Sequence, residues 1–133
     1  MLFRSWTKVW LGEPEAAIER ATRAMRLSPH DPYMFDMQSA TACAHFIAGR
    51  YADALSWAEA AVRRQPNSIA ALRVLAASNA MAGRQEKAQK AMARLRELSP
   101  MLRVSSLKDL FPVRRPEDIA RWAEGMRKAG LPE

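Results

Sequence analysis

Cys43 and His45 are the side chains whose types could together supply a nucleophile and a general base. A thiol is activated by an imidazole only when the two side chains lie within hydrogen-bonding reach of each other. Two residues apart on a helix, however, they point to different faces. We therefore interpret Cys43 as a small buried side chain and expect no thiol chemistry.

The sequence supports a metal, phosphate or acid–base site no better than it supports a Cys43–His45 pair. The histidines are His30 and His45, and neither a CxxC nor an HExxH spacing accompanies them. The five glycines never cluster, so neither GxxxxGK nor GxGxxG occurs. Glu13, Glu15 and Glu19 surround the start of a predicted helix, where carboxylates favour the helix dipole. We expect no enzyme, no cofactor and no metal.

The basic charge is the remaining feature with a functional consequence. The chain has 21 Lys and Arg against 14 Asp and Glu, which gives a net charge of +7. Lys87, Lys90 and Arg94 share one face of a predicted helix, and such a face is able to bind nucleic acid or an anionic membrane. Because no aromatic side chains interleave there for base stacking, we favour a solvated outer face and keep a nucleic-acid-binding tail as the alternative.

Length and composition indicate one helical domain. The 133 residues are rich in alanine and contain 8% aromatic side chains, which favours helix over sheet. A single cysteine excludes an internal disulfide and suits a reducing compartment. No apolar run approaches the roughly 18 residues of a membrane span, and MLFRSWTKVWLG lacks the apolar core of a signal peptide. We expect a cytoplasmic protein with no membrane partner.

A repeated pattern predicts the elements that would position a binding site. Its three copies are LGEPEAAIERATRAMRLSP at 11–29, AGRYADALSWAEAAVRRQP at 48–66 and AGRQEKAQKAMARLRELSP at 82–100. Gly12, Gly49 and Gly83 take second place in each copy, and a proline closes each one. A period of about 34 residues, such as the one between the second and third copies, is typical of stacked helical hairpins. The interval between the first two copies is slightly longer.

Local signals divide each copy into two helices. Each glycine is expected to end a helix in a left-handed turn, and each proline to end the hairpin. Asp31 and Asn67 are expected to cap the helices that follow. The predicted helices span 1–11, 14–27, 32–48, 51–64, 68–82, 85–98 and 116–129, with a short helical turn near 105–110.

The final segment, RRPEDIARWAEGMRKAGLPE, breaks the period. Pro116 opens a helix, and Glu117 and Asp118 favour its positive N-terminal end. One apolar stripe then follows at i, i+3, i+4 and i+7, formed by Ile119, Trp122, Ala123 and Met126. Because a stack of repeats leaves an apolar face exposed at its end, we predict a linker and a C-terminal capping helix over 101–133.

The start of the chain is short for a complete hairpin. About eleven residues precede Gly12, and the bulky apolar Leu2, Phe3, Trp6 and Trp10 crowd them. We expect a truncated first repeat, and hence the C-terminal fragment of a larger protein; the alternative is that the aromatics belong to an ordinary first core. An exposed apolar edge here predicts self-association of the isolated chain.

The three copies resemble the tetratricopeptide repeat (TPR), a helix-turn-helix unit of about 34 residues. Tyr51 matches the aromatic that follows the turn glycine in that family, whereas Pro14 and Gln85 replace it in the other copies. The resemblance implies an all-α TPR superhelix of about three repeats, the first truncated, with a C-terminal capping helix. The implied repeats are 1–31, 32–67 and 68–100.

A narrower resemblance concerns the strings RLSPHDP, AGRYADALSWAEAAVRRQP, ALRVLAAS and the ending RRPEDIARWAEGMRKAGLPE. They are similar to the C-terminal TPR region of rhizobial-type α-proteobacterial adenylate cyclase-like proteins. A class III nucleotide cyclase domain lies far upstream in those proteins, so the resemblance implies a bacterial parent protein with this chain as its regulatory tail. The catalytic segment of that family is missing here, so no cyclase residue is carried over.

TPR proteins usually bind their partners on a concave side lined by the first helix of each hairpin. Alignment with the family places ten residues there, namely Trp6, Trp10, Asp36, Ser39, Cys43, Phe46, Ile47, Arg73, Ala77 and Met81. Of the Lys, Arg and Asn side chains that clamp a peptide carboxylate in some members, only Arg73 is present. The resemblance thus implies a non-catalytic protein–protein interaction or scaffolding module. Its groove would receive a helix of another protein or of an upstream domain.

Overall fold

The protein is all-helical throughout the residues that the computed structural model describes, which are 2–107 and 113–133, with side chains from Trp6 onward. The α-helices are α1 Leu2–Trp10, α2 Pro14–Leu27, α3 Met34–Ile47, α4 Tyr51–Arg64, α5 Ile69–Met81, α6 Gln85–Leu98 and α7 Pro116–Lys128. A 3-10 turn occupies Val104–Ser106. The rest of the turn predicted near 105–110 extends into 108–112, outside the described residues. The all-α prediction is confirmed.

The three repeat glycines make the hairpin turns that the sequence predicts. Gly12, Gly49 and Gly83 have φ values of 76°, 80° and 79°, in the left-handed region that favours glycine. In each turn the residue after the glycine donates its backbone N–H to a carbonyl five residues earlier, for example Arg84 to Asn79 at 2.8 Å. This bond satisfies a carbonyl that the end of the helix would otherwise leave open.

The two predicted helix caps are wrong. Ser68, not Asn67, caps α5, because its hydroxyl accepts a hydrogen bond from the backbone N–H of Ala71 at 3.3 Å. Asp31 accepts the N–H of Tyr33 at 2.8 Å within a turn that precedes the helix, so α3 begins two residues later than expected. A carboxylate that bonds two residues ahead forms a turn of its own instead of a helix cap.

The hairpins stack in sequence order. Each second helix packs against the first helix of the next hairpin, as α2 does on α3 and α4 on α5. The first helices α1, α3 and α5 also pack on one another and form the inner side of the stack, here called the inner groove. Ala17, Ala54 and Ala88 are fully buried, and their small side chains allow close approach of the paired helices.

The last helix lies against the inner side of the stack. It packs mainly on α5 and also contacts α3, with Trp122 and Met126 buried and Ile119 and Ala123 partly buried. The predicted apolar stripe is therefore the packed face of α7. Beyond the helix, the backbone N–H of Val104 donates to the carbonyl of Pro132 at 2.9 Å, which fixes the chain end on the 3-10 turn.

Candidate functional site

Helix α7 crosses the inner groove at the end nearest the hairpin turns. The backbone N–H of Arg114 donates to the carbonyl of Trp10, the last residue of α1, at 3.0 Å. Arg121 Nη1 donates to Tyr51 Oη at 2.6 Å. Gln85 Nε2, at the third turn, donates to the carbonyl of Lys128 at 2.7 Å. The residues from Arg121 to Lys128 span about 10 Å of helix, close to the distance between packed helices. Helix α7 and the residues just before it therefore reach all three turns.

The floor of the groove is complementary to α7. The rings of Phe46 and Trp122 lie 4.2 Å apart between centroids, and Trp122 is 2% exposed. A Cβ added to Gly125 would lie 2.9 Å from Ala77 Cβ and 3.2 Å from Phe46 Cζ. The backbone of α7 thus approaches α5 to a distance that a larger residue at this position would not permit.

Four of the predicted lining residues are buried by the chain itself. Phe46 and Ala77 lie beneath α7, and Ile47 is 7% exposed. Ser39 is fully buried, and its hydroxyl donates to the carbonyl of Phe35 at 2.8 Å within α3. All four side chains are therefore closed to a partner in this structure, and α7 covers Phe46 and Ala77 directly.

Five other predicted lining residues remain partly exposed. Trp6 Nε1 donates to Asp36 Oδ2 at 3.2 Å, and the rings of Trp6 and Trp10 stack with centroids 5.4 Å apart. Arg73 is one helical turn from Ala77, on the side away from the hairpin turns, and Met81 ends α5. We call Trp6, Asp36 and Arg73 the open end of the inner groove. The side chains of Leu2 and Phe3, part of the predicted apolar edge, lie outside the described residues.

Burial changes the protonation equilibria at this open end. It raises the pKa of the Asp36 carboxyl, and the hydrogen bond from Trp6 opposes that change. Burial likewise raises the pKa of the Cys43 thiol to about 12, although the nearby Arg73 lowers it. Cys43, the remaining predicted lining residue, is therefore protonated at neutral pH and packs as a small apolar side chain.

Asp118, in the first turn of α7, is a buried acid whose burial the sequence did not indicate. It is 2% exposed, and its Oδ2 atom accepts no hydrogen bond in the described part of the chain. Burial raises the pKa of its carboxyl, while the charge of Arg115 lowers it. Since a buried carboxylate oxygen without a donor is costly, α7 holds this residue at some expense of stability.

His45 belongs to a polar cluster on the other side of α3 from the groove. Its Nδ1 atom accepts a hydrogen bond from Arg50 Nε at 3.0 Å, and Arg50 also pairs with Glu15 at 2.7 Å. Asp53 Oδ2 lies 4.0 Å from the same nitrogen. Burial lowers the pKa of His45, and the charge of Arg50 lowers it further.

We expect the free energy of unfolding to fall as the pH drops below about 6.5, the ordinary pKa of histidine. The folded state favours neutral His45, so the unfolded chain binds the proton more readily. His45→Gln keeps an acceptor for Arg50 and should make this pH dependence shallower, as measured by urea unfolding between pH 7 and 5. Exposed His30→Gln is the control. Equal slopes for His45→Gln and the wild type would contradict the expectation.

Comparisons with known proteins assign no family, so the functional proposal is based on the geometry described above. No protein-family model matches the chain, and no curated protein matches it. Among the described side chains, no three His, Cys, Asp or Glu residues come together in a way that could hold a metal ion. None of the described helices is long and apolar enough to cross a membrane.

Proposed function

We propose that this chain is a non-catalytic protein–protein interaction module built from helical hairpins of the TPR type. The observation that carries the proposal is the inner groove itself, which is shaped to hold an α-helix and holds α7. Phe46 and Ala77 form its floor, and Trp122 and Gly125 fit against them. A groove that recognises one amphipathic helix in this way is of the kind that protein partners use.

The open end of the inner groove is the place where we expect a partner to bind. Trp6, Asp36 and Arg73 combine an aromatic surface with two opposite charges, and all three are partly exposed beside the half that α7 covers. Tryptophan and arginine are enriched among the residues that dominate binding at protein interfaces. A partner helix would extend along α3 and α5 from this end and meet α7 near Ala77.

The second part of the proposal concerns the larger protein to which this chain would belong. The TPR type is supported by the regular recurrence of the hairpins along the sequence and by the left-handed glycines at their turns. We propose that the chain is the regulatory C-terminal tail of a bacterial adenylate cyclase-like protein. In that setting the partner would be another protein, a second copy of the tail, or the upstream domain.

Immunoprecipitation from source cells, with antibodies raised against residues 14–129, tests both halves of the proposal. We expect a native polypeptide far above 15.0 kDa and a co-purified protein that stays bound after nuclease treatment. Purified partner should then bind the purified chain, and Arg73→Ala should weaken that binding. A 15.0 kDa band would contradict the tail assignment. Retention of nucleic acid alone would contradict the interaction module and favour nucleic-acid binding.

A further inference from the structure

A second groove opens on the outer side of the stack, between α4 and α6. Both helices pack against α5, but they are not among the helix pairs that pack on each other. The space between them is about 430 Å³, within the usual range of binding pockets. Val62, Leu72, Leu75 and Ala91 give it an apolar floor. We call this space the outer groove.

The rim of the outer groove is basic. Lys87, Lys90 and Arg94 line it from α6, against a single lining acid, Glu59, on α4. Arg94 pairs with Glu97 at 2.8 Å, whereas Lys87 and Lys90 have no acidic partner among the described residues. Two exposed ammonium groups therefore lie beside apolar surface, and none of the described acidic side chains pairs with them.

A buried polar atom adds an independent observation at the same place. Asn79 lines the groove, is 3% exposed, and donates from Nδ2 to the carbonyl of Leu75 at 3.0 Å. Its Oδ1 atom is buried and accepts no hydrogen bond from the described residues. Buried acceptors without a donor are uncommon and costly, so a ligand N–H or O–H that reached this atom would relieve that cost.

We propose that the outer groove binds an acidic peptide segment of a protein partner. Apolar side chains of the peptide would pack on Val62, Leu72 and Leu75, its carboxylates would pair with Lys87 and Lys90, and a backbone N–H would reach Asn79. The proposal rests on the interaction module proposed above but uses a surface separate from the inner groove. Nucleic acid fits less well, because the floor is aliphatic and offers no ring for base stacking.

A random peptide library displayed on phage, selected against the full chain, is the direct test. We expect the selected peptides to combine Asp or Glu with large apolar residues. In fluorescence anisotropy, Lys87→Glu/Lys90→Glu should lower the affinity of the chain for a selected synthetic peptide by about tenfold or more. The carboxylates of the peptide would then face side chains of like charge. Leu75→Ala should also lower this affinity, because it removes apolar contact area from the floor of the outer groove.

The matched control reverses two other exposed charges. Arg63 and Arg64 lie on α4, outside the residues that line the groove, and have no ion pair among the described residues. Arg63→Glu/Arg64→Glu gives the same net charge as the lysine variant and should leave the affinity for the peptide unchanged. Circular dichroism of each variant establishes that it remains folded.

The other outcomes overturn the inference in distinguishable ways. If the selected peptides bind both double variants equally, the outer groove is not their binding site. The proposal that the chain is an interaction module would be unaffected. Oligothymidylate binding that is lost in Lys87→Glu/Lys90→Glu, with no peptide selected, would assign the rim to nucleic acid and overturn the proposed peptide site. Self-association lost in the same variant would assign the groove to a second copy. If neither peptide nor oligonucleotide binds, the outer groove is not a binding site, and the immunoprecipitation decides the interaction module separately.

Discussion

Trp122→Ala is expected to lower the free energy of unfolding by about 3–5 kcal/mol, the usual cost of removing a large buried aromatic side chain. The indole is 2% exposed and packs on the ring of Phe46 at 4.2 Å, so its removal leaves a cavity between α7 and the inner groove. A domain is typically stable by only about 5–15 kcal/mol, so the loss is a large part of the total. Urea unfolding followed by circular dichroism measures it.

The same variant should loosen α7 before the rest of the stack unfolds. Arg121, next to Trp122, is a trypsin site held by its hydrogen bond to Tyr51, and we expect faster cleavage there in the variant. Trp57→Ala is the control, because Trp57 is only partly buried and lies on α4, away from α7. It should cost less stability and leave Arg121 protected. A loss below about 1 kcal/mol with unchanged cleavage would mean that α7 is not held by this contact.

The hairpins were predictable because local backbone chemistry determines them. Gly12, Gly49 and Gly83 stand where the chain requires a left-handed residue, and the prolines that close each hairpin exclude further helix. The boundaries of α2, α4 and α6 agree with the predicted ones for this reason. The start of α3 does not, because the competing turn at Asp31 depends on a hydrogen bond that residue type alone does not specify.

The site was predictable only in part. The apolar stripe of α7 indicated that Trp122 and Met126 would be buried, but periodicity does not say against which surface. The contacts that seat α7 in the inner groove join residues far apart in the sequence, such as Arg121 with Tyr51. For the same reason, alignment placed Phe46 and Ala77 on a partner-binding face that the last helix covers. A glycine within the stripe, Gly125, was the available signal of close helix packing.

Gly125→Ala is expected to destabilise the protein by about 1–3 kcal/mol, the usual cost of overpacking. On an exposed helix the same change would stabilise by up to about 1 kcal/mol, because alanine is the better helix former. Here the new methyl group would lie 2.9 Å from Ala77 Cβ, so steric overlap opposes the gain in propensity. Urea unfolding therefore distinguishes a seated α7 from a free one by the sign of the change alone.

A double-mutant cycle with Ala77→Gly assigns the effect to this contact. Ala77→Gly removes the methyl group that the new one would meet, so the double variant should be more stable than the sum of the single changes indicates. We expect a coupling of about 0.5–3 kcal/mol. The rescue should be incomplete, because Phe46 Cζ at 3.2 Å and Ala77 Cα at 3.4 Å remain close. Additive changes, or a stabilising Gly125→Ala, would place α7 outside the groove and remove the observation on which the helix-binding function rests.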